Sequence, residues 1–124
     1  MSDLTPYLCV ADSRAAIDWY GEVLQATVKG KPYVMADGRI GHVELIIGDA
    51  LLMMADPFPE VDVEPPDTSK GSAVSLHLEV PDCDAVAEAA VRNGVQLDRG
   101  PESTSHGRSA TFRDPFGHRW IVSS

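Results

Sequence analysis

The sequence predicts an α+β fold in which two βαβββ modules form a curved mixed sheet with a concave cleft. Two observations carry that expectation. Leu8-Cys9-Val10 followed by Asp12 recurs as Leu78-Glu79-Val80 followed by Asp82, a fixed offset of 70 residues that marks two copies of one supersecondary unit. The apolar residues follow helical spacing after each aspartate and change to period two between and beyond those stretches, as strands with one buried face require. A chain of 124 residues is long enough for one domain with its own core, spanning 1–124 and made of module 1 (1–56), a linker (57–73) and module 2 (74–124). Function is then expected in the cleft where the two copies face each other, not in one contiguous motif.

Taken in order, Leu4, Pro6, Leu8 and Val10 alternate with Thr5, Tyr7 and Cys9 as a first strand. Asp12 caps a helix to Leu24, with Ala16, Tyr20, Val23 and Leu24 on its buried face. Thr27–Met35, bent at Pro32, and Ile40–Ile47 follow as strands, and Gly48-Asp49 makes a tight hairpin to Ala50–Met54. Pro57 to Ala73 is rich in proline, acid and small residues and suits a linker. The second copy gives a strand at Val74–Val80 and a helix from Asp82 to about Asn93, carrying Val86, Ala89 and Ala90 inward and ending at Asn93-Gly94. Strands at Val95–Asp98, Ser109–Arg113 and His118–Val122 complete it, with a turn at Asp114–Gly117. Gly100 to Arg108 reads as a polar loop, either a cover over the cleft or a long turn.

Ten basic residues against nineteen acidic ones give a formal charge of -9, which opposes binding to nucleic acid or an anionic membrane and tolerates a cationic small molecule. No apolar run approaches a membrane span, and Met-Ser-Asp-Leu-Thr-Pro has no signal-peptide character, so a cytoplasmic location is expected. Cys9 and Cys83 have no metal-binding or redox spacing. Cys83 falls just inside a helix start, where the dipole can lower a thiol pKa, but an idle cysteine is the better reading.

With these elements in place the chain resembles the vicinal oxygen chelate superfamily, which includes glyoxalase I, bleomycin-resistance proteins and extradiol dioxygenases. The resemblance rests on Leu8-Cys9-Val10-Ala11-Asp12 leading to Ala16-Ile17-Asp18-Trp19-Tyr20, on Val80-Pro81-Asp82, and on Asp114-Pro115-Phe116-Gly117-His118. Thr5-Pro6-Tyr7-Leu8, Gly41-His42-Val43-Glu44-Leu45, Ile47-Gly48-Asp49 and the same late turn continued to Arg119-Trp120 are similar to its PhnB-like branch. The resemblance implies a homodimer. It also implies that a family metal would be bound from four strand positions, which fall on Thr5, Met53, Ser75 and Ile121. Hydroxyl, thioether and hydrocarbon do not make a divalent-metal donor set, so the usual metal site is expected to be absent.

The parity of the Gly48-Asp49 hairpin places Glu44 opposite Met53 on one face, together with His42, while His77 shares the face of Ser75. Three readings of these side chains stay open. His42, Glu44 and His77 could form a replacement triad for iron, nickel, zinc or manganese, with Glu44 as base in a lyase, isomerase or dioxygenase. Or they are simply the polar half of an alternating sheet, satisfied by water or neighbouring side chains; or they hydrogen-bond a ligand directly, with Glu44 as its anionic contact. Tyr7 and Tyr33 would then wall a flat guest, Met53 would enter the cleft, and Arg119, sharing a face with Ile121, would meet any anionic group, as could Arg108. Trp19 and Trp120 are expected in the core or at a subunit contact. The four positions favour a metal-free protein that binds a small, antibiotic-like organic molecule; an interaction module without a specific ligand is the third reading.

Overall fold

The computed structural model describes residues 2–124. The chain divides into two compact units, Met1–Pro65 and Pro66–Ser124. Each is a βαβββ module. The first comprises β1 (Tyr7–Cys9), α1 (Ser13–Leu24), β2 (Thr27–Val34), β3 (Ile40–Ile47) and β4 (Ala50–Ala55). The second comprises β5 (Ser75–Glu79), α2 (Cys83–Arg92), β6 (Leu97–Thr104), β7 (Gly107–Arg113) and β8 (Arg119–Ser123). The α+β class with a repeated module therefore holds, and the strands form two four-stranded mixed sheets, β1-β4-β3-β2 and β5-β8-β7-β6. In each, the first strand pairs parallel to the last and the other pairings are antiparallel.

The repeat is close in its local geometry. Asp12 and Asp82 cap the helices with nearly the same backbone angles, φ -148°, ψ 99° and φ -146°, ψ 97°. Their carboxylates accept from Ala15 N at 3.1 Å and Ala85 N at 3.2 Å, satisfying N–H groups that the first helical turn leaves unpaired. Leu24 ends α1 because Gln25 turns left-handed at φ 57° and returns its N–H to Tyr20 O. At the end of α2, Asn93 N–H and its side-chain amide both return to Ala89 O before Gly94 turns left-handed at φ 98°.

Helix α1 buries Ala16, Tyr20, Val23 and Leu24 as expected, with Trp19 added. It packs in a unit whose sheet buries Leu8, Val43, Leu45, Leu52 and Met54. In the second unit the helix buries Cys83, Ala87, Ala89 and Ala90, whereas the expected Val86 is only half-buried. Ala110, Phe112, Trp120 and Val122 supply the sheet's share of that core. Trp120 also donates its indole N–H to the buried Asp114 carboxylate at 2.8 Å, which accepts from the backbone of Phe116 and His118 as well and so shapes the β7–β8 turn.

A second buried carboxylate organises the first unit. Asp56 accepts from Ser13 N at 2.8 Å and Ile40 N at 2.7 Å, joining the start of α1 to the start of β3. Burial works to raise its pKa, but the N–H donors of Ile40 and Ser13, helped by the charge of Arg14, prevail and hold it below the usual carboxylate range. In the second unit the corresponding helix N–H, that of Cys83, donates to the Ser124 hydroxyl at 3.1 Å.

The structure corrects three expectations. The first strand is shorter: Leu4, Thr5 and Pro6 precede it and Leu4 is 99% exposed, because the bonds to β4 begin at the Pro6 carbonyl, which accepts from Met53 N, and the paired residues are Tyr7 to Cys9. Val74, expected to face inward, is likewise exposed and precedes β5. The polar segment 100–108 is mostly strand, with β6 running to Thr104 and β7 beginning at Gly107. Gly100 and Pro101 do not break the strand, since the ladder absorbs them in an irregularity between Arg99 and Glu102. The first unit has the same device between Lys29 and Tyr33, around Gly30 and Pro32.

Within 57–65 the chain is folded, not extended. A one-turn 3-10 helix, Pro59–Val61, is closed by a bridge between Phe58 and Val63. Arg39 grips this loop through both oxygens of Glu60, the Pro57 carbonyl and the Phe58 ring, and its hydrogen bonds hold the Glu60 carboxyl down to about 2.

Two outcomes follow from this architecture. Asp56→Asn turns an amide N–H₂ toward one of the two backbone N–H donors and should cost about 2–3 kcal/mol in urea denaturation. Because the native pKa of Asp56 is lowered, its contribution is present above the unfolded carboxylate pKa of about 4 and is lost as pH falls through the lower native value; the variant should therefore lose less stability on acidification than the native protein. The second concerns the paired glycines. Gly30 (φ +72°) and Gly100 (φ +78°) are both left-handed, but an added Cβ meets nothing within 4 Å at Gly30 and lies 2.3 Å from Ser109 O at Gly100. Gly30→Ala should cost about 1 kcal/mol and Gly100→Ala about 3 kcal/mol or more, read from denaturation midpoints.

Candidate functional site

Strand pairing brings much of the nominated site onto one face of the first sheet. Direct partners across a sheet share a face, so Tyr7, Met53, Glu44 and Lys29 form one row, each opposite the next on β1, β4, β3 and β2. His42 lies two residues before Glu44 on β3, hence on the same face, and Tyr33 is its partner on β2. The opposite face carries Leu8, Val43, Leu45, Leu52 and Met54, all buried. The two-residue turn between Ile47 and Ala50, with Gly48 left-handed at φ 61°, fixes this parity.

The polar groups on this face are joined. Tyr7 Oη lies 2.8 Å from His42 Nδ1 and 3.1 Å from the Gly41 carbonyl, and the two rings meet edge to face with centroids 5.2 Å apart. His42 Nε2 lies 2.9 Å from Glu44 Oε2. Lys29 Nζ is 4.0 Å from Glu44 Oε1, an ion pair outside hydrogen-bonding distance. Burial, and secondarily the negative charge of Glu44, push the Tyr7 hydroxyl up, so it remains a neutral phenol. Glu44, His42 and Met53 are half-buried, while Tyr7 and Tyr33 are 53% and 64% exposed. Cys9 is two residues beyond Tyr7, and burial pushes its thiol up, with Asp56 and Glu64 adding to the effect.

The remaining nominated residues divide between the units. Thr5 precedes β1 in the first. Ser75, His77, Arg119 and Ile121 belong to the second, where Ser75 pairs with Arg119 and His77 with Ile121. Arg119 donates to Ser75 Oγ at 2.6 Å, and His77 Nε2 lies 3.0 Å from Ser123 Oγ. Arg108 is occupied elsewhere, bound through two nitrogens to Asp84 in the first turn of α2. Cys83 is fully buried, and burial pushes its thiol up instead of the helix start lowering it.

The four positions that the resemblance assigns to a family metal do not supply a divalent-metal donor set. Thr5, Met53, Ser75 and Ile121 offer hydroxyls, a thioether and a hydrocarbon, and both His42 nitrogens are engaged by Tyr7 and Glu44. Among the described residues no group of three or more His, Cys, Asp or Glu side chains is gathered as ligands.

Sequence reasoning missed Lys29, although period-two alternation along β2 marks it as far as the irregularity after it. It also missed an apolar groove of about 360 Å³ on the second unit, between α2 and β6, lined by Ala87, Val91, Leu97 and Pro101 with Glu88 and Arg92 beside them. Val91, the large apolar side chain exposed on α2, is the signal that could have found it.

Comparison with known proteins agrees with this fold. The profile of the Glyoxalase/Bleomycin resistance protein/Dioxygenase superfamily matches residues 4–122. The uncharacterized protein Mb0911c of Mycobacterium bovis is 32% identical over 123 residues, covering 96% of this chain and 80% of its own. Among solved structures, a glyoxalase/bleomycin resistance protein from Streptomyces sp. CB03234 superposes with a TM-score of 0.69 at 25% identity, over 99% of this chain and 100% of that one. TnmS3, an antibiotic binding protein from the same organism, gives 0.68 at 24% identity over 99% and 95%. The sequence match over nearly the whole chain, together with the repeated βαβββ module, shows that this protein belongs to the glyoxalase/bleomycin resistance protein/dioxygenase superfamily.

Proposed function

We propose that the protein is a metal-free binder of a small organic molecule, seated on the open face of the first sheet, and that within its superfamily it belongs to the PhnB-like branch. The observation that carries the reading is the aromatic and soft surface formed by Tyr7, His42, Tyr33 and Met53, with His42 held at both nitrogens. A side chain fixed from both ends loses little further freedom when a ligand arrives, so contact area is converted to affinity with a smaller ordering cost. Tyrosine faces, the imidazole edge and a polarizable thioether suit a flat, unsaturated guest. The antibiotic binding described for TnmS3 is a precedent on the same fold.

In this reading the residues bind and orient, and none transfers a group. Tyr7 and Tyr33 flank the guest, Met53 adapts to its shape, and Glu44 both aims His42 and contributes the charge of the site. The family resemblance implies a homodimer, which sedimentation would measure.

Two measurements test the proposal. Titration with a panel of aromatic antibiotics, followed by NMR of the tyrosine rings, should shift Tyr7 and Tyr33; Tyr33→Ala should weaken the tightest member about tenfold and leave the denaturation midpoint unchanged, because Tyr33 is exposed. Mass spectrometry of protein incubated with iron, nickel, zinc or manganese and then desalted should find far less than one metal per chain. Near-stoichiometric retention abolished by His42→Ala would overturn the metal-free assignment and point to the lyase, isomerase or dioxygenase alternative with Glu44 as base.

A further inference from the structure

Counting the hydrogens on the open face of the first sheet specifies what kind of ligand group it accepts. A carboxylate can only accept, so the 2.9 Å contact with Glu44 Oε2 requires a hydrogen on His42 Nε2. The other nitrogen, Nδ1, faces Tyr7 Oη at 2.8 Å, and that hydroxyl also faces the Gly41 carbonyl at 3.1 Å. The hydroxyl has one hydrogen to share between them.

With a neutral imidazole, Nδ1 carries a lone pair and Tyr7 donates to it. With an imidazolium, Nδ1–H donates to Tyr7 Oη, and the Tyr7 hydrogen turns to the Gly41 carbonyl. In both states every hydrogen of the Tyr7–His42 pair is used inside the protein, and the phenolic oxygen offers only a lone pair outward. Glu44 behaves alike. Its Oε2 is taken by His42, while Oε1 faces Lys29 Nζ at 4.0 Å, beyond hydrogen-bonding distance.

We propose that Tyr7 Oη and Glu44 Oε1 form an acceptor-only patch that selects ligands carrying a hydrogen-bond-donating cation of the ammonium class over neutral or anionic analogues. The inference rests on the small-molecule reading above and assigns the ligand's chemistry. A neutral hydroxyl or amide can satisfy one acceptor, but only a cation also answers the charge of Glu44. An anion meets lone pairs and a like charge. Lys29, with a side chain 59% exposed, already places an ammonium beside Oε1, so a cation fits there without rearranging the strand; a ligand ammonium would compete with it. The exposed rings of Tyr7 and Tyr33 give that cation aromatic faces as well.

The test uses three probes with one aromatic body, naphthylmethylammonium, naphthylmethanol and naphthoate, titrated against the full chain near neutral pH. Binding is read from the NMR signals of the Tyr7 and Tyr33 rings and the His42 imidazole. The ammonium should bind at least ~10-fold tighter than naphthoate, with the alcohol between them. Glu44→Gln, which turns an acceptor into a donor, should bring the ratio close to one, and Lys29→Met should tighten the ammonium probe alone. Naphthoate binding as tightly as the ammonium would overturn the inference while leaving the binding reading intact, and this comparison needs no variant to fold. An undiminished preference in Glu44→Gln would remove Glu44 from the assignment. If no probe moves the tyrosine signals, the binding reading fails and the inference fails with it.

Discussion

The first unit depends on a carboxylate that is buried and still charged. Asp56 follows β4, and its two oxygens hold the first N–H of α1 and the first N–H of β3. Three separate elements therefore meet at one side chain. Removing a carboxylate from water is costly unless donors replace the lost hydration, and here the donors are backbone groups that would themselves be unsatisfied without it. The arrangement fixes where β3 starts and so where His42 and Glu44 stand along it. In the second unit the neutral Ser124 hydroxyl takes the helix N–H while the Ser124 backbone pairs with Arg108 of β7, so the two modules share a backbone plan and differ in the chemistry that secures it.

From that anchor the character of the open face follows by parity. Once Ile40 is pinned and the Gly48-Asp49 turn sets the hairpin, alternate residues have no choice of side. Leu45 and Val43 enter the core, and Glu44 and His42 are left outside it, where they join Tyr7. The composition of this outward face is thus a by-product of core packing at each backbone position, and the proposed specificity would lie in which side chains occupy it. This separation of scaffold from site is how one superfamily fold accommodates unrelated chemistries.

Much of the architecture was legible because the informative signals are local. Asp12 and Asp82 mark helix starts through their own capping geometry, and a two-residue turn determines register without reference to the rest of the chain. The misreading of 100–108 came from taking its polar composition as the mark of a loop. The 70-residue offset relates Gly100 to Gly30, already placed in a strand bent at Pro32, and carrying the repeat through would have given the second irregular strand as well. The Tyr7–His42–Glu44 chain was legible only as a shared face. Its hydrogen bonds depend on the parallel pairing of β1 with β4 and on rotamers, which alternation does not specify. The role of Asp56 was illegible for the same reason, since its partners lie 43 and 16 residues away.

If Tyr7 binds the ligand as proposed, the brevity of β1 ties recognition to local opening. This strand has three residues, sits at the edge of its sheet and is held there through β4, yet it carries Tyr7. Short edge segments are the first to fray, and each excursion of β1 separates Tyr7 from His42 and dismantles the acceptor pair. A guest that grips Tyr7 binds only the docked strand, so part of its binding free energy acts as a clamp on that edge. The strand's amides would then exchange with solvent more slowly in proportion to occupancy, and the binding face and the least secured strand of the sheet become thermodynamically one element.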